Sequence, residues 1–291
     1  MVVLTFFLVL LCLSLFCVSA LSASQTQTPP KIGNFAFRGS QQLSPLISFG
    51  QLVIDKGETM VFLTGSDFIG HKAHQTNITP SLLYGVTDNF SLSFFMPIAA
   101  SYKDHQDHSS GLEDMYFQAE YAFYNKVTSQ YEDMATVVAN MTFPTGSTHK
   151  NPTTGVGSPS FFLGATLSRH TAEWYVFTSH GATLTTSHHR TKFGNEFLYQ
   201  FGLGKVLYTI DSRWLFGCVV EMDGEYSGKD KIMGMKDNDS GGNVIYATPS
   251  LWLSSQSLIL QLGIGFPVTQ HLFGEQTKAN YLVAGSITWA F

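Results

Sequence analysis

From about residue 58 to the C-terminus, large apolar side chains recur at every second position in successive segments of roughly 10–14 residues, the period of an extended strand and not of a helix. In FSLSFFMPIAASY, Phe90, Leu92, Phe94, Met96, Ile98 and Ala100 fall on one side. In LEDMYFQAEYAFY, Met115, Phe117, Ala119, Tyr121 and Phe123 oppose Asp114, Tyr116, Gln118, Glu120 and Ala122. GNEFLYQFGLG sets Phe197, Tyr199, Phe201 and Leu203 against Glu196, Leu198, Gln200 and Gly202. RWLFGCVVEMDG sets Trp214, Phe216, Cys218, Val220 and Met222 against Arg213, Gly217, Glu221 and Asp223. LILQLGIGF sets Leu258, Leu260, Leu262, Ile264 and Phe266 against Gln261, Gly263 and Gly265. In the last segment, Tyr281, Val283, Ile287, Trp289 and the terminal Phe291 share a side. WYVFTSHGATL shows no plain lipid side, so the pattern leaves His180 unplaced.

Such alternation suits a soluble β-sandwich or a membrane barrel, and the connections discriminate between them. Tight ones fall at TDN (87–89), HTA (170–172), TIDSR (209–213) and SSQ (254–256). Long polar ones fall between them, at 103–111, 144–157, 187–192 and 227–243. Short turns on one rim and long loops on the other characterise an outer-membrane barrel, whereas a sandwich has no reason to sort its loops. Charged residues make up only 13% of the chain, against about 25% in an average globular protein, and 24 Phe, 12 Tyr and 26 Gly accompany them. The expectation is an all-β transmembrane antiparallel up-and-down β-barrel of about 12 strands over residues 58–291. An even count places both ends of the barrel at the short-turn, periplasmic rim. The last strand must pair with the first, because lipid cannot satisfy an open sheet edge.

Residues 1–20, MVVLTFFLVLLCLSLFCVSA, carry no charged side chain and end in small residues, the pattern of a secretory signal peptide cut near Leu21. An uncleaved membrane helix is the alternative. Phe16 before Cys17 argues against lipoprotein processing. Loss of this segment would remove Cys12 and Cys17 and leave Cys218 alone, with no internal disulfide. Residues 21–57 are either a periplasmic lead or a segment that enters the lumen.

Three short motifs carry a family resemblance: Tyr84, Gly85, Thr87 and Asp88 in a YGxTD turn; Gly111, Leu112 and Asp114 in a GLxD opening, with Glu113 where Gly is usual; and Pro144, Thr145 and Gly146 in a PTG strand end. Over most of residues 58–291 the chain resembles the bacterial outer-membrane family named for the MetA pathway of phenol degradation. The resemblance implies a Gram-negative outer-membrane barrel that moves small, aromatic or hydrophobic, solutes. The motifs themselves read as turn and strand-end devices, since Asp and Asn bond their own backbone and Pro-Thr-Gly stops a strand. A terminal aromatic such as Phe291 resembles the C-terminal signal read by the outer-membrane assembly machinery.

The lumen-facing candidates are Gln118, Glu120, Glu196, Gln200, Arg213, Glu221, Asp223 and Gln261. In a water-filled lumen their excess of carboxylates would favour cations; in a plugged one they would be paired and structural. Eight of the ten histidines fall at expected outer loops, and the DHQDH spacing makes His105 and His108 weak candidates for a divalent ion. A solvated loop is the plainer account of them. The Ser and His of SRH (168–170) and TSHG (178–181) lack a GxSxG elbow, so no catalytic residue and no cofactor are expected. The net charge of −5, without a basic run, argues against nucleic acid. The expected partners are outer-membrane lipid, the assembly machinery and a small solute. The preferred function is a channel or transporter. The alternatives are a structural or adhesion-type barrel acting through its loops, then a lipid hydrolase.

Overall fold

The computed structural model describes residues 28–291; the signal segment lies outside the described residues. Sixteen strands follow one another: β1 (Thr59–Gly70), β2 (Ala73–Thr87), β3 (Phe90–Phe95), β4 (Ile98–Asp104), β5 (Asp107–Leu112), β6 (Tyr116–Val127), β7 (Tyr131–Thr142), β8 (Ser160–Thr171), β9 (Trp174–Thr185), β10 (Glu196–Ile210), β11 (Trp214–Ser227), β12 (Lys231–Ile232), β13 (Met235–Lys236), β14 (Gly242–Ser255), β15 (Leu258–Leu272) and β16 (Ala279–Ala290). β3 with β4, and β5 with β6, are interrupted halves of single staves. The first break falls at Met96–Pro97, where Pro97 has no N–H to give the ladder. β12 and β13 form a separate small hairpin within a loop. The cylinder therefore has 12 antiparallel staves. It closes through β1, which pairs β2 on one side and β16 on the other, from Met60 opposite Ala290 to Gly70 opposite Ala279. Closure leaves no unpaired edge for lipid to meet.

The alternation sorts the side chains as expected. The outer wall carries Leu163 at 63% exposure, Phe117 at 53% and Leu262 at 59%, with Leu82, Leu167, Leu203, Leu251 and Phe266 also exposed. So large an apolar surface fits lipid and not water. No helix among the described residues is long and apolar enough to cross a membrane.

One rim carries the turns at 88–89, 128–130, 172–173, 211–213 and 256–257, together with both ends of the barrel; the opposite rim carries the loops 143–159, 186–195 and 228–241. The polar stretch at 103–111, expected as a loop, is instead a hairpin: β4 and β5 pair up to Asp104 opposite Asp107. Its residues alternate too weakly to announce a strand, yet pairing satisfies their backbone above the barrel wall.

The interior of the short-turn half is packed. Phe37, Leu43 and Ile54, which precede β1, form one cluster with Met60, Leu83, Tyr175, Phe177, Leu215, Val219, Trp252 and Ile259 from the strands.

Candidate functional site in the barrel lumen

Residues 33–58 run through the inside of the cylinder without joining its ladder. The segment enters at the short-turn rim, where the Asn34 N–H donates to the Ala172 carbonyl at 2.9 Å and its side-chain amide to Thr171 at 2.8 Å. It passes β14 and β15, where the Ser254 hydroxyl donates to the Gln41 carbonyl at 2.9 Å and the Gln261 amide to the Ser44 carbonyl at 3.1 Å. It then meets β11. The Glu221 carboxyl accepts the N–H groups of Leu46 at 2.7 Å, Ile47 at 3.1 Å and Ser48 at 2.9 Å. The neighbouring Asp223 accepts from the Ser48 hydroxyl at 2.6 Å and from the Gln200 amide at 3.2 Å. The side-chain oxygen of Gln200 in turn accepts the Phe49 N–H at 3.0 Å.

The chain then turns back across the lumen. Gly50 and Gln51 both take the left-handed conformation, at φ 83° and 65°. A Cβ at Gly50 would run into the Thr166 side chain, so glycine is required there for space as well as for conformation. On β6 the Glu120 carboxyl accepts the N–H groups of Gln51 at 2.9 Å and Leu52 at 3.0 Å, and the Thr136 hydroxyl at 2.6 Å. The descent to β1 passes Ser91, which accepts the Ile54 N–H at 3.0 Å, and Asp88, which accepts that of Lys56 at 3.0 Å.

Beyond its two short 3-10 turns, at Gly33–Ala36 and Gly39–Gln41, this segment has backbone donors and no partner strand. Inward carboxyl and amide side chains satisfy them, because a buried N–H left unpaired costs about 1–3 kcal/mol. Of the lumen candidates, Glu120, Gln200, Glu221, Asp223 and Gln261 all hold this segment, and Glu221 has no exposed surface. Gln118 faces inward, 5% exposed, and its amide nitrogen meets no hydrogen-bond partner. Glu196 stands at the long-loop rim, where a cavity of about 310 Å³ is lined by Phe193, Gly194, Glu196, Glu225, Ser227 and Asp230 among others. Arg213 lies in the exposed turn 211–213, beyond the ends of both strands, and so lines no part of the interior. Period-two parity put it on the inner side, but parity carries no information past a strand end.

The motif residues have contacts that turn chemistry does not explain. Gly85 exchanges backbone hydrogen bonds with the N-terminal segment, its carbonyl accepting from Gly57 at 2.8 Å and its N–H donating to Glu58 at 3.0 Å. A Cβ at Gly85 would overlap the Asp55 carbonyl oxygen. With Asp88, the YGxTD turn is therefore a clamp on residues 54–58; Tyr84 points outward and Thr87 ends β2. The second and third motifs meet each other. Asp114 accepts the N–H groups of Gly146 and Val156, both at 2.8 Å, and Thr145 bridges the Met115 N–H and the Glu113 carbonyl, each at 2.9 Å. Pro144 lies beside this knot, while Gly111 and Leu112 end β5 just before it.

Among the described residues no group of three or more His, Cys, Asp or Glu side chains could hold a metal ion. The His105 ring is paired with Asp104 at 2.8 Å, and that of His108 meets the Ser101 hydroxyl at 3.3 Å. Of the Ser–His pairs, Ser179 is buried inside while His180 packs outside against Phe201, ring centroids 5.3 Å apart. His170 faces the lumen and engages the Leu43 carbonyl at 2.9 Å.

A barrel of this size has known counterparts. Residues 83–282 match the model of the family described as "Putative MetA-pathway of phenol degradation". The chain belongs to this family. Among solved structures, the chain is similar to the COG4313 outer membrane channel from Pseudomonas putida F1, with 14% identity and a TM-score of 0.72 over 84% of this chain and 100% of that one. It also aligns to the NanC porin, at 10% identity and a TM-score of 0.48 over 79% of this chain and 98% of that one. The KdgM porin follows at 11% identity and a TM-score of 0.43, over 80% and 99% of the two chains. No curated protein matches the chain. This MetA-pathway family member thus shares its β-barrel fold with the COG4313 outer membrane channel.

Proposed function

We propose that the protein is a channel of the bacterial outer membrane that passes small solutes when its own N-terminal segment moves aside. The carrying observation is the way the segment is held. Its contacts with the barrel between Leu43 and Lys56 run through side chains such as Glu221, Glu120 and Gln200, not through strand pairing. It can therefore shift without opening the ladder that closes the cylinder. Held as it is, it packs the short-turn half, and a cavity of about 310 Å³ stands at the long-loop rim.

The family description supports aromatic solutes of the phenol class as cargo. The outward apolar belt supports lodging in lipid. The pairing of Phe291 with Thr59, N–H to carbonyl at 2.8 Å, supports a C-terminal strand that closes the barrel last under the assembly machinery.

The test is to tether the segment. Ser48 and Asp223 are in side-chain contact at 2.6 Å, so both are replaced by cysteine in a Cys218→Ser background. Planar-bilayer conductance is then compared in the oxidised and reduced states. Current that falls on oxidation and returns on reduction supports the reading. Equal current in both states, or none from the native protein, sinks it.

A further inference from the structure

The staves of the barrel carry few cations, and most of those lie together. Among the described residues, lysine and arginine occur in the staves only at Lys103, Lys126, Arg169 and Lys205. Lys103 belongs to the β4–β5 hairpin at the long-loop rim. The other three stand on alternate strands, β6, β8 and β10, toward the short-turn rim. Lys126 is opposite Asp133 on β7, Asp133 is opposite Arg169, and Lys205 is opposite Trp174, the first residue of β9. Arg169 and Lys205 are exposed and alternate with the buried Ser168 and Gly204, so they point outward, and residues directly opposite across a ladder share a face. Each cation rests on a ring of the outer wall. The Lys126 ammonium is 5.5 Å and the Arg169 guanidinium 4.6 Å from the Tyr131 centroid, and the Lys205 ammonium is 4.6 Å from that of Trp174. Arg169 also donates to both oxygens of Asp133, at 2.5 and 2.7 Å. Glu120, Glu132 and Glu196 of the same strands face the lumen, Glu132 toward Gln42 of the inner segment. Asp133 alone balances the three cations outside, and two positive charges are left over. The opposite arc, β14–β16 with β1 and β2, holds no lysine or arginine and turns Leu251, Leu262, Trp289, Val61 and Leu82 outward.

We infer that this arc of the wall is a docking surface for the phosphate groups of anionic phospholipid in the leaflet at the short-turn rim. The apolar belt sets the ends of the strands at the level of the lipid headgroups. There, long basic side chains lay their stems on the wall and keep their charges in water, and Trp and Tyr rings are at home. A ring beneath a cation fixes its place without cancelling its charge, because the attraction comes from a quadrupole. Lys126 and Lys205 thus hold ammonium groups, each with three donors, where phosphate oxygens lie. An anionic headgroup answers the excess charge of this arc. A zwitterionic one brings its own ammonium beside its phosphate and gains less. The opposite arc, without cations, takes either lipid equally. The inference needs a wall that faces lipid and not the passage of solute, so a barrel that carries no current leaves it standing.

The test places the full barrel in vesicles of mixed phosphatidylglycerol and phosphatidylcholine, one of the two brominated near the headgroup so that it quenches tryptophan. Trp214→Phe with Trp289→Phe leaves Trp174 as the reporter on the outer wall, since Trp252 is buried inside at 2% exposure. At low salt Trp174 should report phosphatidylglycerol bound about tenfold more tightly than phosphatidylcholine, with each lysine contributing up to about fivefold. Lys126→Gln with Lys205→Gln should bring the ratio close to one, and Lys126→Arg with Lys205→Arg should keep it. Trp174→Phe with Trp214→Phe makes Trp289 the reporter for the opposite arc, which should show no preference. Heat-modifiable migration verifies that each variant forms a barrel. Equal quenching of Trp174 by the two lipids, or a preference that the double Gln variant leaves unchanged, overturns the docking surface. The same preference at Trp289 overturns its placing on one arc. Loss of the preference in inorganic phosphate, but not in chloride of equal ionic strength, reveals a site for free phosphate and overturns the lipid as occupant.

Discussion

The Glu221 carboxyl receives the backbone N–H of Leu46 at 2.7 Å across 175 positions of sequence, and two further N–H groups follow it onto the same side chain. One inward carboxyl thus does for the lumen segment what a neighbouring strand would otherwise do. Replacing it with Gln leaves one acceptor oxygen and turns an NH₂ toward N–H donors. Glu221→Gln should loosen the segment by about 1.5–3 kcal/mol, the scale of hydrogen bonds to a charged group. Hydrogen exchange of the Leu46–Ser48 amides should accelerate in an intact barrel. Unchanged protection there would show that the segment is held by its apolar contacts instead.

Those apolar contacts are tested at Leu43. Its side chain is 1% exposed, inside the cluster of Tyr175, Leu215 and Val219. Leu43→Ala should cost about 2–5 kcal/mol as a buried truncation. The same change at Leu163, on the outer wall, should shift thermal unfolding in detergent far less. Equal shifts would mean that Leu43 is not packed as described.

The two faces of the wall differ in what they tolerate. Phe117 is half exposed on the outer side of β6, and Asn140 faces the lumen opposite Gln118 on β7. A lysine on the lipid side costs about 2–4 kcal/mol at mid-membrane, while lumen positions accept polar change. Phe117→Lys should therefore lower the yield of heat-modifiable barrel well below that of Asn140→Lys. The reverse order would invert the assignment of faces.

Asp114 ties two backbone N–H groups of the 143–159 loop. Asp114→Ala should free that loop without opening the barrel. Limited proteolysis from the long-loop side should then nick residues 144–157 several-fold faster, with heat-modifiable migration retained. Native-like resistance would place the loop's order elsewhere.

Much of this molecule was readable from its residues. Phe117 against Gln118, Phe201 against Gln200 and Val220 against Glu221 alternate between exposed and buried, because strand parity is a local property that every pair of neighbours repeats. The stave count, the sorting of turns and loops, and the pairing of the last strand with the first follow from the same pattern and from the demand that lipid leave no backbone group unpaired. Arg213 shows the limit of parity, which stops where the strand stops.

The use of the inward side chains was decided only by the tertiary structure. Glu120 and Glu221 read equally well as the lining of a watery pore and as internal struts, since nothing local to either names its partner. Residues 33–58 have no period, because their register is set by acceptors on β6, β10 and β11 and by the Gln261 donor on β15, brought together only when the cylinder closes. Gly85 and Asp88 looked like parts of a turn for the same reason: the segment they clamp touches them through the third dimension. Alternation records which side of a wall a residue faces. What stands against it across the lumen is a non-local relation, created by closure of the barrel.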